Sequence, residues 1–150
     1  MRMDKELCIK LYDEYYRDVQ RLALSFTGNI EDSLDIVQDV FLKLLKGNVS
    51  LCPGSEKSWL LTVTANECRN FLKKKKPDCE VPENVQAGTD EYGTWELLES
   101  LRPEERAVIQ LYYFDGYSQK EIAKILGLSM SGVSMRLTRA KRRLKEELGE

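Results

Sequence analysis

The 150-residue chain contains no histidine. That absence removes the side chain that most often moves protons near neutral pH, and with it most acid–base catalytic arrangements. Cysteine is scarce too. Cys8, Cys52, Cys68 and Cys79 are widely scattered, and no two form a Cys-x-x-Cys pair. A zinc site would have to be assembled from these four thiols alone, so they are read as free and reduced, and no metal or cofactor is expected. Long apolar runs are missing: Trp59-Leu60-Leu61 falls far short of the roughly 18 residues a membrane span requires. The opening Met1-Arg2-Met3-Asp4-Lys5-Glu6 is charged and leads into a helical pattern, not into the apolar core of a secretion signal. A cytoplasmic protein without membrane contact is the expectation. The sequence has no phosphate-cradling glycine loop, no nucleophile elbow and no marked catalytic carboxylate pair. An enzyme is not expected.

Charge is present in quantity, at 32% of residues, and is unevenly placed. The net charge of −2 argues at first sight against a nucleic-acid partner. Residues 57–76, however, carry six basic side chains (Lys57, Arg69 and Lys73 to Lys76) against Glu67, a local +5. Residues 130–145 carry six more (Arg136, Arg139, Lys141, Arg142, Arg143, Lys145) and no acid, a local +6. Between them, residues 77–105 hold nine acids against Arg102, a local −8. A phosphate backbone responds to the local patch more than to the sum, so two cationic surfaces remain candidates for DNA.

Apolar residues recur at three- and four-residue spacing almost throughout, which predicts an all-α fold. Leu7, Leu11, Tyr15, Val19, Leu22 and Phe26 line a first helix stopped by Gly28. Asn29 caps a second helix with Ile30, Leu34, Val37, Phe41 and Leu44 inward, ended by Gly47. Residues 48–55 contain Pro53-Gly54 and read as a loop. A third helix spans about 57–76, with Leu60, Val63, Thr64 and Phe71 inward, until Pro77. Residues 77–93 hold two prolines, two glycines and five acids (Asp78, Glu80, Glu83, Asp90, Glu91), the composition of a flexible linker. A short helix is expected around Trp95. Pro103 then opens a helix through Val108, Leu111 and Tyr112 towards Phe114.

The most informative motif follows. Ser118-Gln-Lys-Glu121 is a capping box that starts a helix after the Asp115-Gly116 turn. Gly127 stops it, and Ser129 caps the next helix, which runs through Val133, Leu137 and Leu144. Small Ala123 at the helix crossing, the turn glycine four positions on, and the β-branched Val133 six beyond that have the spacing of a helix-turn-helix. Ile122, Leu126 and Leu128 fill the shared core. The bland alternative, an αα-hairpin with a solvated basic face, is disfavoured by cations placed where a groove-seated helix meets phosphates.

These residues carry a resemblance. The segment from Gly116 to Ser129, with Val133 and then Arg136-Leu-Thr-Arg-Ala-Lys-Arg-Arg-Leu144, resembles region four of the extracytoplasmic-function sigma factors of bacterial RNA polymerase. The stretch from Leu101 to Leu111 matches the helix that precedes it. Glu31-Asp-Ser-Leu-Asp-Ile-Val-Gln-Asp-Val-Phe-Leu-Lys-Leu44 is similar to the polymerase-binding segment of region two, and Trp59, Leu60, Val63, Asn66, Leu72 and Lys73 match its promoter-melting helix. The resemblance covers nearly the whole chain. It implies two small helical domains, a region-two three-helix bundle at 1–76 and a region-four helix-turn-helix at 94–150, joined by the flexible acidic linker 77–93.

By that resemblance the partners are core RNA polymerase, through its clamp helices and flap, and promoter DNA, with an anti-sigma factor as a candidate third. Asp35, Gln38, Asp39 and Leu42 are the expected polymerase contacts, opposite the apolar stripe of the second helix. Asn66, Arg69, Lys73 and Lys74 are the expected contacts to the minus-ten element, with loop 49–57 holding a flipped base and Trp59 read as core. In the recognition helix, Ser131, Ser134, Met135 and Thr138 face the groove of the minus-thirty-five element, with Arg136, Arg139, Arg142 and Arg143 fanned around them. Gly132, Ser134 and Met135 depart from the threonine, lysine and serine common there, Asn70 from a frequent aspartate, and Glu56 from a common aromatic; these bear on sequence preference. The alternatives that the residues leave open are a helix-turn-helix regulator acting without polymerase and a protein-interaction module of the same fold.

Overall fold

The computed structural model describes residues 4–47, 51–52, 54–74 and 100–149, and these form helices and short connections. The chain runs through α1 (Lys5–Thr27), α2 (Ile30–Lys46), α3 (Glu56–Lys74), α4 (Pro103–Ile109), α5 (Gln119–Leu126) and α6 (Met130–Glu147). The linker, the expected helix around Trp95, and part of the 49–57 loop lie outside the described residues.

Local chemistry sets most boundaries. The Asp4 carboxylate accepts the Leu7 N–H at 2.8 Å and starts α1. Gly28 ends it with φ +69°, a left-handed turn in which a side chain is strained. Asn29 then caps α2 by accepting from the Asp32 N–H at 3.0 Å. Ser118 and Glu121 form the reciprocal capping box of α5, each side chain accepting the other's backbone N–H at 3.1 Å. Gly127 closes α5 with φ +67°, and Ser129 starts α6 by accepting the Gly132 N–H at 3.0 Å. One helix departs from expectation. Beyond Ile109 the hydrogen bonding of α4 loosens into a π-turn over Gln110–Phe114, where the Asp115 N–H reaches back to the Gln110 carbonyl at 3.0 Å. The extra residue in this turn leaves Tyr113 and Phe114 half exposed while Leu111 stays fully buried.

Helices α1, α2 and α3 pack mutually into the three-helix bundle, and α4, α5 and α6 form the second unit. The two units touch extensively: α4 lies on α1, and α5 on α3. Leu22 and Phe26 of the first belong to one continuous buried cluster with Leu101, Val108 and Ile122 of the second. This contact changes the reading of α3. The expected inward set was Leu60, Val63, Thr64 and Phe71, but the buried residues are Leu60, Leu61, Thr64, Ala65 and Cys68, with Val63 and Phe71 only half-buried. A helix covered from two sides buries a wider arc than the single stripe its periodicity suggests.

The reciprocal box at Ser118 satisfies N–H groups that the first turn of α5 leaves without intrahelical partners. Ser118→Ala should therefore cost about 1 kcal/mol of unfolding free energy. Urea titration followed by circular dichroism checks this, and an unchanged midpoint would remove the box as a stabilising element.

Candidate nucleic-acid and polymerase interfaces

Helix α6 presents its surfaces in order because Val133, Leu137 and Ala140 are buried on one side. At roughly 100° per residue, Ser131, Met135, Thr138 and Arg142 point away from that side, with Ser134 and Arg139 flanking them. All six are exposed. Arg136 and Arg143 are half-buried on the side that faces the start of α4. The Arg136 Nη1 donates to the Gly132 carbonyl at 3.1 Å, and Arg143 Nη1 donates to the Ser100 carbonyl at 3.3 Å and lies 3.7 Å from Glu105. The Thr138 hydroxyl donates to the Ser134 carbonyl at 2.9 Å, and the Ser131 hydroxyl lies 3.1 Å from that of Ser129. These cations divide in two: Arg139 and Arg142 reach outward, while Arg136 and Arg143 are held against the protein.

On α2, Asp35, Gln38, Asp39 and Leu42 form an exposed strip opposite the buried Ile36, Val37, Val40 and Leu44. Leu42 is 45% and Leu45 48% exposed, so an apolar edge accompanies the acids. On α3, Asn66, Lys73 and Lys74 are exposed. Arg69 is not directed outward. Its Nε donates to Glu104 Oε1 at 2.5 Å and its Nη2 to Oε2 at 3.2 Å, a two-pronged pair with the second unit. Trp59 is half-buried and packs against the core. Cys8 and Cys68 are free and buried, and loss of hydration raises both thiols above their ordinary values.

The residues that sequence reasoning missed sit between the units. Arg106 is 8% exposed and donates to three carbonyls: Ser25 at 2.6 Å, Phe26 at 2.9 Å and Leu101 at 2.8 Å. Arg21 joins Asp18 at 2.7 Å to Asp115 at 3.3 Å. Lys57 approaches Asp18 at 3.8 Å and lies 5.1 Å from the centre of the Tyr117 ring. Burial by itself lowers the Lys57 pKa, but the Tyr117 phenol and the Asp18 charge more than offset this and raise it. No sequence pattern marks these contacts, since Arg21 and Asp115 are 94 positions apart.

Among the described residues no group of three or more potential ligands is placed to hold a metal ion, and no helix is long and apolar enough to cross a membrane. Two family models match the chain, Sigma-70 region 2 over residues 11–77 and Sigma-70 region 4 over residues 94–144. The chain is 31% identical over 155 residues to the ECF RNA polymerase sigma factor SigL of Mycobacterium tuberculosis, covering 93% of this chain and 88% of that one. The chain belongs to the ECF sigma factors. It is also 29% identical over 153 residues to the RNA polymerase sigma factor SigV of Bacillus subtilis, covering 96% of this chain and 92% of that protein. The sigma factor RpoE of Bartonella quintana, solved with the anti-sigma factor NepR, superposes with a TM-score of 0.73 at 25% identity over 92% of this chain and 94% of that one. CnrH, solved with the cytosolic domain of CnrY, shares the fold with a TM-score of 0.66 at 24% identity over 97% of this chain and 89% of that one. The sigma factor is therefore a non-enzymatic initiation factor that binds core RNA polymerase and directs it to promoters, with a helix-turn-helix for sequence-specific DNA.

Asp115 supplies a test of the ionic cluster between the units. Loss of hydration raises its pKa, outweighing the attraction of Arg21 and the hydrogen bond from Gln110. A carboxyl whose folded pKa lies above its unfolded value carries no penalty below the unfolded pKa, and its cost to stability grows as pH rises through the folded value. Asp115→Asn should accordingly gain stability relative to the parent as pH rises from the acid range to neutrality. Urea unfolding of both proteins along a pH series measures the difference; a gain that shrinks with rising pH would contradict the assignment.

Proposed function

We propose that the sigma factor works as three parts: residues 1–76 bind core polymerase and the minus-ten element, residues 77–93 connect, and residues 94–150 read the minus-thirty-five element. Asp35, Gln38, Asp39 and Leu42 engage the polymerase clamp helices. Asn66, Arg69, Lys73 and Lys74 hold the strands at the minus-ten element. Ser131, Ser134, Met135, Thr138 and Arg139 face base edges, with Arg136, Arg142 and Arg143 contributing charge towards the backbone. The observation that carries this reading is the exposed acidic strip with its Leu42 edge on α2, in the same chain as a capped helix-turn-helix whose outward face is short hydroxyls and arginines. A helix-turn-helix regulator acting alone has no use for the first of these. The half-exposed Tyr113 and Phe114 offer an apolar contact for the polymerase flap. The site of action is the cytoplasm, and an anti-sigma factor is a further partner, by analogy with the complex in which RpoE was solved.

Asp39→Arg changes an exposed residue, so stability should shift by no more than about 0.5 kcal/mol. Affinity for core polymerase should fall on the order of tenfold or more, because reversed charge meets like charge on the partner. Normal binding by both Asp39→Arg and Asp35→Arg would remove this face from the interface. On DNA, arginine reads guanine with two hydrogen bonds worth about 1–3 kcal/mol of discrimination. Arg139→Ala should relax preference at one position of the minus-thirty-five element. Arg142→Ala should weaken matched and scrambled duplexes alike and flatten the salt dependence by about one unit of slope. Titrations over several salt concentrations decide it, and equal loss on both duplexes for Arg139→Ala would make that residue a phosphate contact.

A further inference from the structure

Two clefts open where α3, α6 and the first turn of α4 meet, and they differ in character. The larger, of about 480 Å³, is lined by Phe26, Leu72 and Pro103 as well as by Arg69, Lys73 and Arg136. The smaller, of about 370 Å³, is lined by charged side chains alone: Arg102, Arg139, Arg142 and Arg143 with Glu105 and Glu146. Arg102, Glu105 and Arg139 belong to both, so the two run into one another. Each lies within the roughly 300–1,000 Å³ of sites that take small molecules. Seven cations face three glutamates in this depression, and two of the glutamates are already engaged. Glu104 accepts from Arg69, and the buried Glu105 lies 3.7 Å from Arg143. Lys73, Arg102, Arg139 and Arg142 have no ion-pair partner among the described residues. Like charges gathered without counter-charge repel one another, and a bound anion relieves that repulsion.

We propose that this depression is a binding site for a nucleoside polyphosphate, with the phosphates among Arg102, Arg139 and Arg142 and the base over Leu72 and Pro103 beside Arg69. The site needs the residues of both units, and not the promoter roles proposed for them. Six of the seven cations are arginine, whose planar fork pairs with phosphate oxygens through two parallel hydrogen bonds. The base end is prepared separately. Arg69 donates to Glu104 through Nε at 2.5 Å and Nη2 at 3.2 Å, and its guanidinium lies 5.9 Å from the centre of the Phe26 ring. A guanidinium plane fixed in this way is a surface on which a nucleic-acid base stacks. The two halves together select the ligand class. Inorganic phosphate would leave the apolar half empty, and an apolar ligand would leave the arginines without counter-charge. A nucleotide carries both parts at the size of the combined cleft.

Isothermal titration of the full chain with magnesium-free ATP, magnesium-free GTP and inorganic tripolyphosphate tests the site. All three should bind once per chain, and at least one nucleotide several-fold tighter than tripolyphosphate, because only a nucleotide reaches the apolar half. Arg102→Glu should weaken all three by about tenfold or more. Lys10→Glu makes the same change of net charge at an exposed position of α1 that lines neither cleft, and should leave every affinity within about twofold. Leu72→Ser should bring the nucleotides down to the affinity of tripolyphosphate and leave tripolyphosphate itself unchanged. Arg102 adjoins the start of α4, so its variant is checked by helical circular dichroism. Should it not fold, Arg142→Glu on the exposed face of α6 decides the matter by the same measure. A parent that binds neither nucleotide, or equal losses from Lys10→Glu and Arg102→Glu, would overturn the site. Equal affinity for tripolyphosphate and both nucleotides would overturn its assignment to a nucleotide. None of these titrations contains polymerase or DNA, so failure of the site leaves the functional reading standing.

Discussion

An α-helix ends with carbonyls that have no partner within the helix, at the negative end of its dipole. In α1 these include Ser25 and Phe26, and both are buried where the second unit packs. Water cannot reach them there, and each unpaired polar group in such a place costs about 1–3 kcal/mol. The Arg106 guanidinium is the answer to that deficit. It brings charge of the favourable sign and enough donors to serve both carbonyls and Leu101 as well. Arg106 reaches them from the fourth position of α4, the helix that Pro103 opens. The shared core of the two units and the mutual placement of α3 and α6 both depend on this docking.

The docking also divides the charges. Ion pairs at half-exposed positions contribute little individually, about 0–1 kcal/mol, so Arg69–Glu104 is a weak bond that can be exchanged for phosphate, whereas the Glu105 carboxylate that Arg143 approaches is buried. The Arg106 site is different, because opening the interface must rehydrate a buried guanidinium and three carbonyls together. The α2 strip, packed behind by α1 and α3 alone among its stronger neighbours, stays accessible throughout.

Helix boundaries were legible in the sequence wherever a single residue sets them: Gly28 and Gly127 as left-handed stops, Asn29, Ser118 and Ser129 as caps. The exposed strip on α2 and the outward face of α6 followed from periodicity, because each helix has one clear apolar stripe to orient it. The resemblance supplied what those patterns stand for. What was not legible shares one cause. Arg106 and Ser25 are 81 positions apart, and Arg69 and Glu104 are 35 apart, so no local pattern reports that they meet. The same blindness made Arg69 look like an outward cation, made Arg143 look equivalent to Arg142, and understated how much of α3 is covered. The π-turn at Gln110–Phe114 escaped for a related reason, since it adds one residue to a helix whose apolar spacing still reads as continuous.

Gly132 ties these threads to promoter choice. It stands in the first turn of the recognition helix, where relatives by resemblance carry threonine, and helix propensity alone disfavours it. A methyl group built there would lie 3.2 Å from the Ser129 hydroxyl oxygen and 3.4 Å from Arg136 Nη1. Both neighbours have tasks: Ser129 caps α6, and Arg136 folds back onto the Gly132 carbonyl. The glycine therefore leaves room for Arg136 to lie along the helix instead of projecting into a groove. With Arg136 turned back and Arg143 drawn to Glu105, Arg139 and Arg142 are the arginines left on the outward side. Under the proposed function, base reading then falls to a smaller set of side chains, Arg139 beside short hydroxyls and a methionine, with the exposed Arg142 left for the backbone. Such a surface makes few strong hydrogen bonds and favours an element in which one guanine contact is surrounded by weaker, methyl- and shape-dependent ones.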